Sequence, residues 1–291
     1  MSNNIYSNGV AMKSVFLIII LFLATQFIGL YVGNQYIQAI SSGIATPALE
    51  NPENIETSLY LFGYIMFTTV IILIIIKYKK SFIRILEAFV IFMSSWITFD
   101  FLIPLDIWYL SLGFFLALIL TAWKMRKPTI LSQDVAAVFS GAGVGAVLGA
   151  SLGVLPSIVF MLILSAYDFV SVFITKHMVH MAKALTERPT SFTIAAPHEF
   201  KSMTYAPTKS KRSKKKIHVF QLGVGDMVIP LMFAVSVMNR FGILSSIASI
   251  VGSTIALLFL IVFIKKRPQP LPALPFITFG TLAGFLVSLM V

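Results

Sequence analysis

Two aspartates, Asp168 and Asp226, interrupt long apolar runs in a chain that is 58% hydrophobic and only 11% charged. An ionisable side chain at the centre of a bilayer costs about 3 kcal/mol or more, so an intramembrane carboxyl indicates a functional site. Two carboxyls that lie close together in a poorly solvated place do not both ionise easily, and we expect them to share one proton. One can then take a proton from an attacking water while the other protonates a carbonyl oxygen. This is the acid–base chemistry of aspartic proteolysis.

The residues beside the two aspartates suit the same chemistry. Tyr167 precedes Asp168, where it can orient a carboxyl or form one wall of a substrate groove. Gly223 and Gly225 come just before Asp226 in a Gly-x-Gly-Asp sequence. Because glycine carries no side chain, these two positions let another backbone, such as that of a substrate, approach closely.

A Pro-Ala-Leu-Pro sequence opens the last apolar run of the chain. Proline has no backbone N–H and disfavours helix at the residue before it, so this segment is predicted to be irregular. Irregular backbone at membrane depth is tolerated where it is buried in protein or lines a wet cavity. It also suits the capture of an extended peptide, because a helical substrate must unwind before its bond can be cut. The predicted substrate-binding edge consists of Pro272, Ala273, Leu274 and Pro275.

Long apolar segments account for most of the chain and predict an all-α membrane protein. A helix needs about 20 apolar residues to cross the hydrocarbon core, and nine segments reach or approach that length. We therefore predict nine transmembrane helices, at residues 14–33, 59–76, 82–99, 103–123, 134–153, 155–175, 218–239, 243–264 and 271–290.

The basic residues predict the orientation of these helices. They cluster at residues 77–84, 124–127, 176–216 and 265–267, which are alternate loops, whereas the first loop carries acidic residues at 50–56. By the positive-inside rule the N-terminus is cytoplasmic and the C-terminus is outside. The net charge of +11 is therefore read as an orientation signal and as contact with anionic lipid headgroups, and no nucleic-acid partner is expected.

The predicted spans divide the chain into three segments. Residues 1–175 form a six-helix segment with Asp168, residues 176–217 form a polar and largely mobile cytoplasmic loop, and residues 218–291 form a three-helix segment with Asp226. Asp168 lies eight residues before Lys176, where the loop begins, and Asp226 lies eight residues after His218, where the seventh span begins. If both stretches are helical, each carboxyl lies roughly 12 Å from the cytoplasmic end of its helix, at the same depth.

Two further patterns concern packing and metal binding. Glycine recurs every fourth residue from 141 to 153 and again at 280 and 284, and small residues at this spacing let helices pack closely in lipid. The chain has no cysteine, and its closely spaced histidines, His177 and His180, have no evident third ligand. We therefore expect neither a metal nor a cofactor.

The Tyr-Asp pair at 167–168, the Gly-x-Gly-Asp sequence at 223–226 and the Pro-Ala-Leu-Pro sequence at 272–275 occur in this order on successive late helices. Together with the nine-span layout they resemble the presenilin and signal peptide peptidase family over essentially the whole chain. The resemblance implies an intramembrane aspartyl protease that cleaves membrane-spanning peptides. It implies catalytic roles for Asp168 and Asp226, and a role for residues 272–275 in shaping the site and engaging substrate.

The resemblance also bears on substrates and partners. A cytoplasmic N-terminus matches the presenilin orientation, which favours single-span membrane proteins or signal peptides whose N-terminus is outside. The short N-terminal tail and modest central loop are most similar to the compact archaeal members. That similarity implies a multi-pass protein of a prokaryotic cell membrane that does not require accessory subunits.

Two other functions use the same features. A proton- or cation-coupled transporter could use both aspartates, but transporters of this kind have internal repeats with two matching broken helices. The chain has one predicted helix whose start is broken by prolines, at residues 272–275, and no convincing counterpart in its first half. A non-catalytic chaperone or scaffold would keep its function after removal of either carboxyl.

Overall fold

The computed structural model describes residues 3–49, 52–78, 82–107, 110–173, 193–197, 219–266 and 271–290. Within these residues the chain forms nine helices and two short antiparallel strand pairs. The helices are α1 Asn3–Ser41, α2 Ile55–Tyr78, α3 Phe82–Leu102, α4 Leu112–Arg126, α5 Ile130–Ser151, α6 Val154–Phe173, α7 Gly225–Phe241, α8 Ile243–Lys266 and α9 Ala273–Ser288. The strands are β1 Asp106–Ile107, β2 Leu110–Ser111, β3 Thr193–Pro197 and β4 Val219–Gly223.

Six of these helices are long and apolar enough to cross a membrane. The qualifying stretches are Ser14–Ser41, Ile55–Ile72, Arg84–Leu102, Ile130–Ser151, Val154–Phe173 and Ile243–Ile264. Helix α9 is apolar but has 16 residues, while α4 has 15 and α7 has 17. The described portion of the chain is thus a helical membrane protein, as predicted, with three helices shorter than a full span.

The fourth predicted span, 103–123, is wrong at its beginning. Strands β1 and β2 pair as a short hairpin, and α4 begins only at Leu112. Pro104 cannot donate a backbone hydrogen bond to a helix. Ser111 then caps α4, because its hydroxyl accepts a hydrogen bond from the backbone N–H of Phe114 at 3.2 Å.

The seventh predicted span, 218–239, also differs. Val219–Gly223 is strand β4, paired with β3 so that Thr193 lies opposite Gly223. Asp226 therefore lies in the first turn of α7 rather than two turns inside a helix. Apart from the residues of β3, the predicted polar loop 176–217 lies outside the described residues.

The predicted glycine face of α5 packs against α7. A Cβ at Gly145 would overlap the side chain of Leu231, and one at Gly149 would overlap the Met232 carbonyl oxygen and Val235. The backbones of α5 and α7 can approach each other because these positions carry no side chain. The helix that carries Asp226 is thus held against the middle of the bundle.

Helices α8 and α9 also pack through glycine. A Cβ at Gly284 would meet the carbonyl oxygen of Ala248, and one at Gly280 would meet that of Gly252. Helix α9 also packs against α6, which carries Asp168. This packing brings the Pro-Ala-Leu-Pro segment at the start of α9 to the end of α6.

Candidate active site

Asp168 lies in the last two turns of α6 and is partly buried. Its neighbour Tyr167 is exposed, and the Tyr167 ring meets that of Phe62 in α2 edge to face, with 6.1 Å between ring centroids. An apolar helix positions both residues. Tyr167 therefore lies where α2 and α6 face each other, next to Asp168 in the sequence.

Asp226 is held at the junction of β4 and α7. The backbone N–H of Gly223 donates a hydrogen bond to the Asp226 carboxyl. A Cβ on Gly223 would lie 3.1 Å from Oδ2 of Asp226, so a side chain there would crowd the carboxyl. A negative charge in the first turn of a helix is also favoured by the helix dipole.

The two carboxyls come from consecutive described helices, α6 and α7, which pack against each other. Helix α6 contains no lysine or arginine. The basic residue of α7, Arg240, lies 14 residues beyond Asp226 (240 − 226). That separation corresponds to roughly 21 Å along a helix. Neither of these two helices therefore supplies a cation beside the carboxyl pair.

The Pro-Ala-Leu-Pro segment contacts one of the two carboxyls directly. Pro272 is the N-cap residue of α9 and has extended backbone, with φ −66° and ψ 122°. The backbone N–H groups in the first turn of a helix have no acceptor within the helix. One of them, on Leu274, donates a hydrogen bond to Oδ2 of Asp168 at 3.3 Å.

The remaining predicted site residues lie around these contacts. Gly225 is exposed, and open space surrounds the position that its Cβ would occupy. Pro272 and Leu274 are buried, whereas Ala273 and Pro275 are partly buried. The structure thus brings the three predicted sequence elements together at the neighbouring ends of α6, α7 and α9.

Two polar residues near this site were missed by the sequence analysis. Gln26 of α1 donates a hydrogen bond to the carbonyl oxygen of Met227, and Gln133 of α5 donates one to that of Thr193. Both glutamines are buried. Gln26 has a signal in the sequence, an amide inside an apolar run, since a polar group in a membrane helix usually faces the protein interior. Gln133 has none of this kind, because Ser132 and Asp134 flank it.

The described residues contain no group of three or more His, Cys, Asp or Glu side chains that could hold a metal ion. His177 and His180 lie outside the described residues. The arrangement at the site therefore offers carboxyl and backbone N–H groups for chemistry.

A family model described as "Signal-peptide peptidase, presenilin aspartyl protease" matches residues 36–291. Two solved structures of a presenilin family intramembrane aspartate protease, in space groups P2 and C222, have similar folds. The first has a TM-score of 0.67 and 21% identity, covering 94% of this chain and 96% of that one. The second has a TM-score of 0.63 and 20% identity, covering 92% and 94%.

No curated protein matches the chain. Nothing in these comparisons supports the transporter alternative. The family match spans both aspartates and the Pro-Ala-Leu-Pro segment. The chain therefore belongs to the signal-peptide peptidase and presenilin aspartyl protease family, and it is an intramembrane aspartyl protease.

Proposed function

We propose that Asp168 and Asp226 are the catalytic pair of this protease. The observation that carries the proposal is the placement of the two carboxyls on consecutive described helices, α6 and α7, which pack against each other. Each carboxyl also accepts a hydrogen bond from a backbone N–H, of Leu274 for Asp168 and of Gly223 for Asp226. Both groups are therefore held in place before substrate arrives.

The pair carries one proton at the start of the reaction. The ionised carboxylate takes a proton from a water molecule while the water oxygen attacks the carbonyl carbon of the scissile peptide bond. The protonated partner donates its proton to the carbonyl oxygen, giving a neutral tetrahedral intermediate. As the C–N bond breaks, the leaving nitrogen accepts a proton from the pair and one hydroxyl of the intermediate returns a proton to it. The products are a carboxylic acid and an amine, and the pair again carries one proton. Because the two groups titrate as one unit, acid and base roles belong to the pair.

The substrate backbone lies in an extended form beside the pair. Gly225 borders open space, which leaves room for a peptide backbone next to Asp226. Tyr167 walls the groove on the α6 side. Pro272, Ala273, Leu274 and Pro275 form its other edge, since this segment already reaches Asp168.

In this proposal each of the nine described helices crosses the membrane, with the N-terminus in the cytoplasm. The contacts at one end of the bundle support this arrangement. Arg240, at the end of α7, pairs with Glu53 of the α1–α2 loop, with 3.5 Å between Nη1 and Oε2. The Tyr36 ring in α1 meets that of Phe101 in α3, with 5.4 Å between centroids. The predicted outer ends of α1, α3 and α7 therefore lie on one side, as alternating spans require.

The substrates are single-span membrane proteins or signal peptides in the lipid bilayer of a prokaryotic, archaeal-type cell membrane. Catalysis needs no cofactor and no accessory subunit. The six-helix segment, residues 1–175, supplies Asp168. The three-helix segment, residues 218–291, supplies Asp226 and the Pro-Ala-Leu-Pro sequence, and residues 176–217 connect the two.

Cleavage of a single-span substrate by the purified full-length protein in detergent tests the catalytic pair. Mass spectrometry locates each cut relative to the membrane segment. We expect cuts within that segment, and we expect Asp168→Asn and Asp226→Asn each to remove them, since an amide replaces an essential carboxyl without changing its shape.

Asp100→Asn is the matched control. Asp100 is also an aspartate in an apolar helix, and its Oδ1 atom has no hydrogen-bond partner among the described residues. This variant should retain cleavage. Activity that survives either Asp168→Asn or Asp226→Asn would refute the pair mechanism, and loss in all three variants would point to a general effect of removing a carboxyl.

A further inference from the structure

Two buried glutamines hold the short segment that carries Asp226, and they do so from different helices. Gln26 lies in α1 and Gln133 in α5, and their exposed fractions are 0% and 3%. Each side chain donates a hydrogen bond to a backbone carbonyl at or next to this segment. Neither residue belongs to the three motifs around the carboxyls.

Gln26 acts on the C-terminal side of Asp226. Its Nε2 atom donates to the carbonyl oxygen of Met227, the next residue in α7, at 2.9 Å. Its Oε1 atom is buried and has no hydrogen-bond partner among the described residues. A buried acceptor without a donor costs free energy that a methionine of similar size would not. Stability alone therefore does not explain an amide at this position.

Gln133 acts on the N-terminal side of Asp226, through the strand pair β3 and β4. Its Nε2 atom donates to the carbonyl oxygen of Thr193 at 2.6 Å and lies 3.2 Å from the Thr193 hydroxyl. Thr193 is the register partner of Gly223, whose N–H bonds to the Asp226 carboxyl. A pair of strands is only marginally stable by itself. The hydrogen bond from Gln133 to Thr193 holds the end of the β3–β4 pair at which Gly223 lies, and so fixes the position of Gly223.

We propose that Gln26 and Gln133 are positioning residues that fix the backbone from Gly223 to Met227 and thereby aim the Asp226 carboxyl at the scissile bond. The inference rests on the proposed catalytic role of Asp226. Both glutamines bond to this region through backbone carbonyl oxygens, of Met227 for Gln26 and of Thr193 for Gln133. Loss of either should misplace Asp226 while leaving the substrate groove in place.

The test measures kcat, KM and the thermal unfolding midpoint of the full-length protein in detergent with a single-span substrate. Gln26→Met and Gln133→Met keep the side-chain volume but remove the donor. We expect kcat to fall by about tenfold to a hundredfold in each, because a misplacement of about 1 Å has effects of this size. KM should stay within about twofold, since the groove residues are unchanged.

Ser236→Ala is the matched control. Ser236 is buried in the same helix, α7, and its hydroxyl donates to the carbonyl oxygen of Leu152 at 2.8 Å. It lies ten residues beyond Asp226 (236 − 226). Its removal should lower the unfolding midpoint and leave kcat unchanged, which separates positioning of Asp226 from a general loss of stability.

Gln26→Asn and Gln133→Asn provide a second pair of variants, in which the amide remains but is one methylene too short. If a methionine variant shows no unfolding transition, the asparagine variant at that position supplies the rates. The inference would be overturned if the Gln26 and Gln133 variants had the kcat of the wild type. It would also be overturned if Ser236→Ala lost as much kcat as the glutamine variants do. Asp226→Asn is measured in parallel: if it is active, the catalytic pair itself is wrong. If it is inactive while the glutamine variants are normal, only the positioning role is wrong.

Discussion

The backbone N–H of Leu274 donates a hydrogen bond to Oδ2 of Asp168 across 3.3 Å, although 106 residues separate the two in the sequence. Leu274 is the second residue of α9, where backbone N–H groups have no acceptor within the helix. The start of α9 therefore gives Asp168 a fixed donor. The Pro-Ala-Leu-Pro segment thus has a direct link to the carboxyl, in addition to any contact with substrate.

Leu274→Pro should reduce kcat by about a hundredfold or more. Proline removes the Leu274 N–H that donates to Asp168, and loss of a donor that holds a group at an active site has effects of this order. The measurement is the rate of cleavage of a single-span substrate, with thermal unfolding to establish that the variant is folded.

Leu155→Pro is a close control for this substitution. Leu155 is likewise the second residue of its helix, α6, and is likewise followed by proline, Pro156. Both substitutions create a Pro-Pro pair in a first helical turn, but Leu155 lies at the opposite end of α6 from Asp168. Equal losses of activity in the two variants would mean that the effect is one of helix distortion.

Alanine at Gly223 and at Gly225 should have different effects. A Cβ at Gly223 would lie 3.1 Å from Oδ2 of Asp226, whereas one at Gly225 would enter open space. Gly223→Ala should therefore lower kcat by displacing the carboxyl. Gly225→Ala should leave the unfolding midpoint unchanged and raise KM, because it fills space that the substrate backbone uses. A normal KM for Gly225→Ala would show that substrate does not approach there.

Much of this structure could be predicted from the sequence, because apolar runs and glycine spacing report directly on helices in lipid. The strand at Val219–Gly223 could not, since a short apolar run fits either a strand or a helix. Its partner, Thr193–Pro197, lies in a segment read as a polar loop. The contacts of Gln26 and Gln133 likewise depend on which backbone each side chain meets after folding, which no local pattern records.

The proposed orientation predicts which loops face the outside of the cell. The natural sequence has no cysteine, so a single introduced thiol is an unambiguous reporter. A membrane-impermeant maleimide applied to intact cells should label a Ser42→Cys variant in the α1–α2 loop and leave a Lys127→Cys variant after α4 unlabelled. Permeabilised cells should label both. The reverse pattern in intact cells would place the N-terminus outside.

The contact between α5 and α7 predicts a difference between two Gly→Ala substitutions. At Gly149 the new methyl group would overlap the Met232 carbonyl oxygen and Val235, so the free energy of unfolding should fall by about 1–3 kcal/mol. At Gly63 in α2 open space surrounds the site, and alanine should be neutral or stabilise by up to about 1 kcal/mol. Denaturant unfolding in detergent measures both. Equal changes in the free energy of unfolding in the two variants would mean that Gly149 does not set the distance between α5 and α7.

A buried ion pair joins Lys124 of α4 to Glu87 of α3, with both side chains almost inaccessible. Lys124→Met should cost about 3–5 kcal/mol of unfolding free energy, because it leaves a buried carboxylate without this partner. The double variant Glu87→Met with Lys124→Met should recover most of that loss, since two apolar side chains carry no desolvation penalty. Neither helix carries a proposed site residue, so folded protein should cleave substrate at the wild-type rate. A double variant that is less stable than Lys124→Met alone would show that the Glu87 carboxylate stabilises the bundle through contacts other than Lys124.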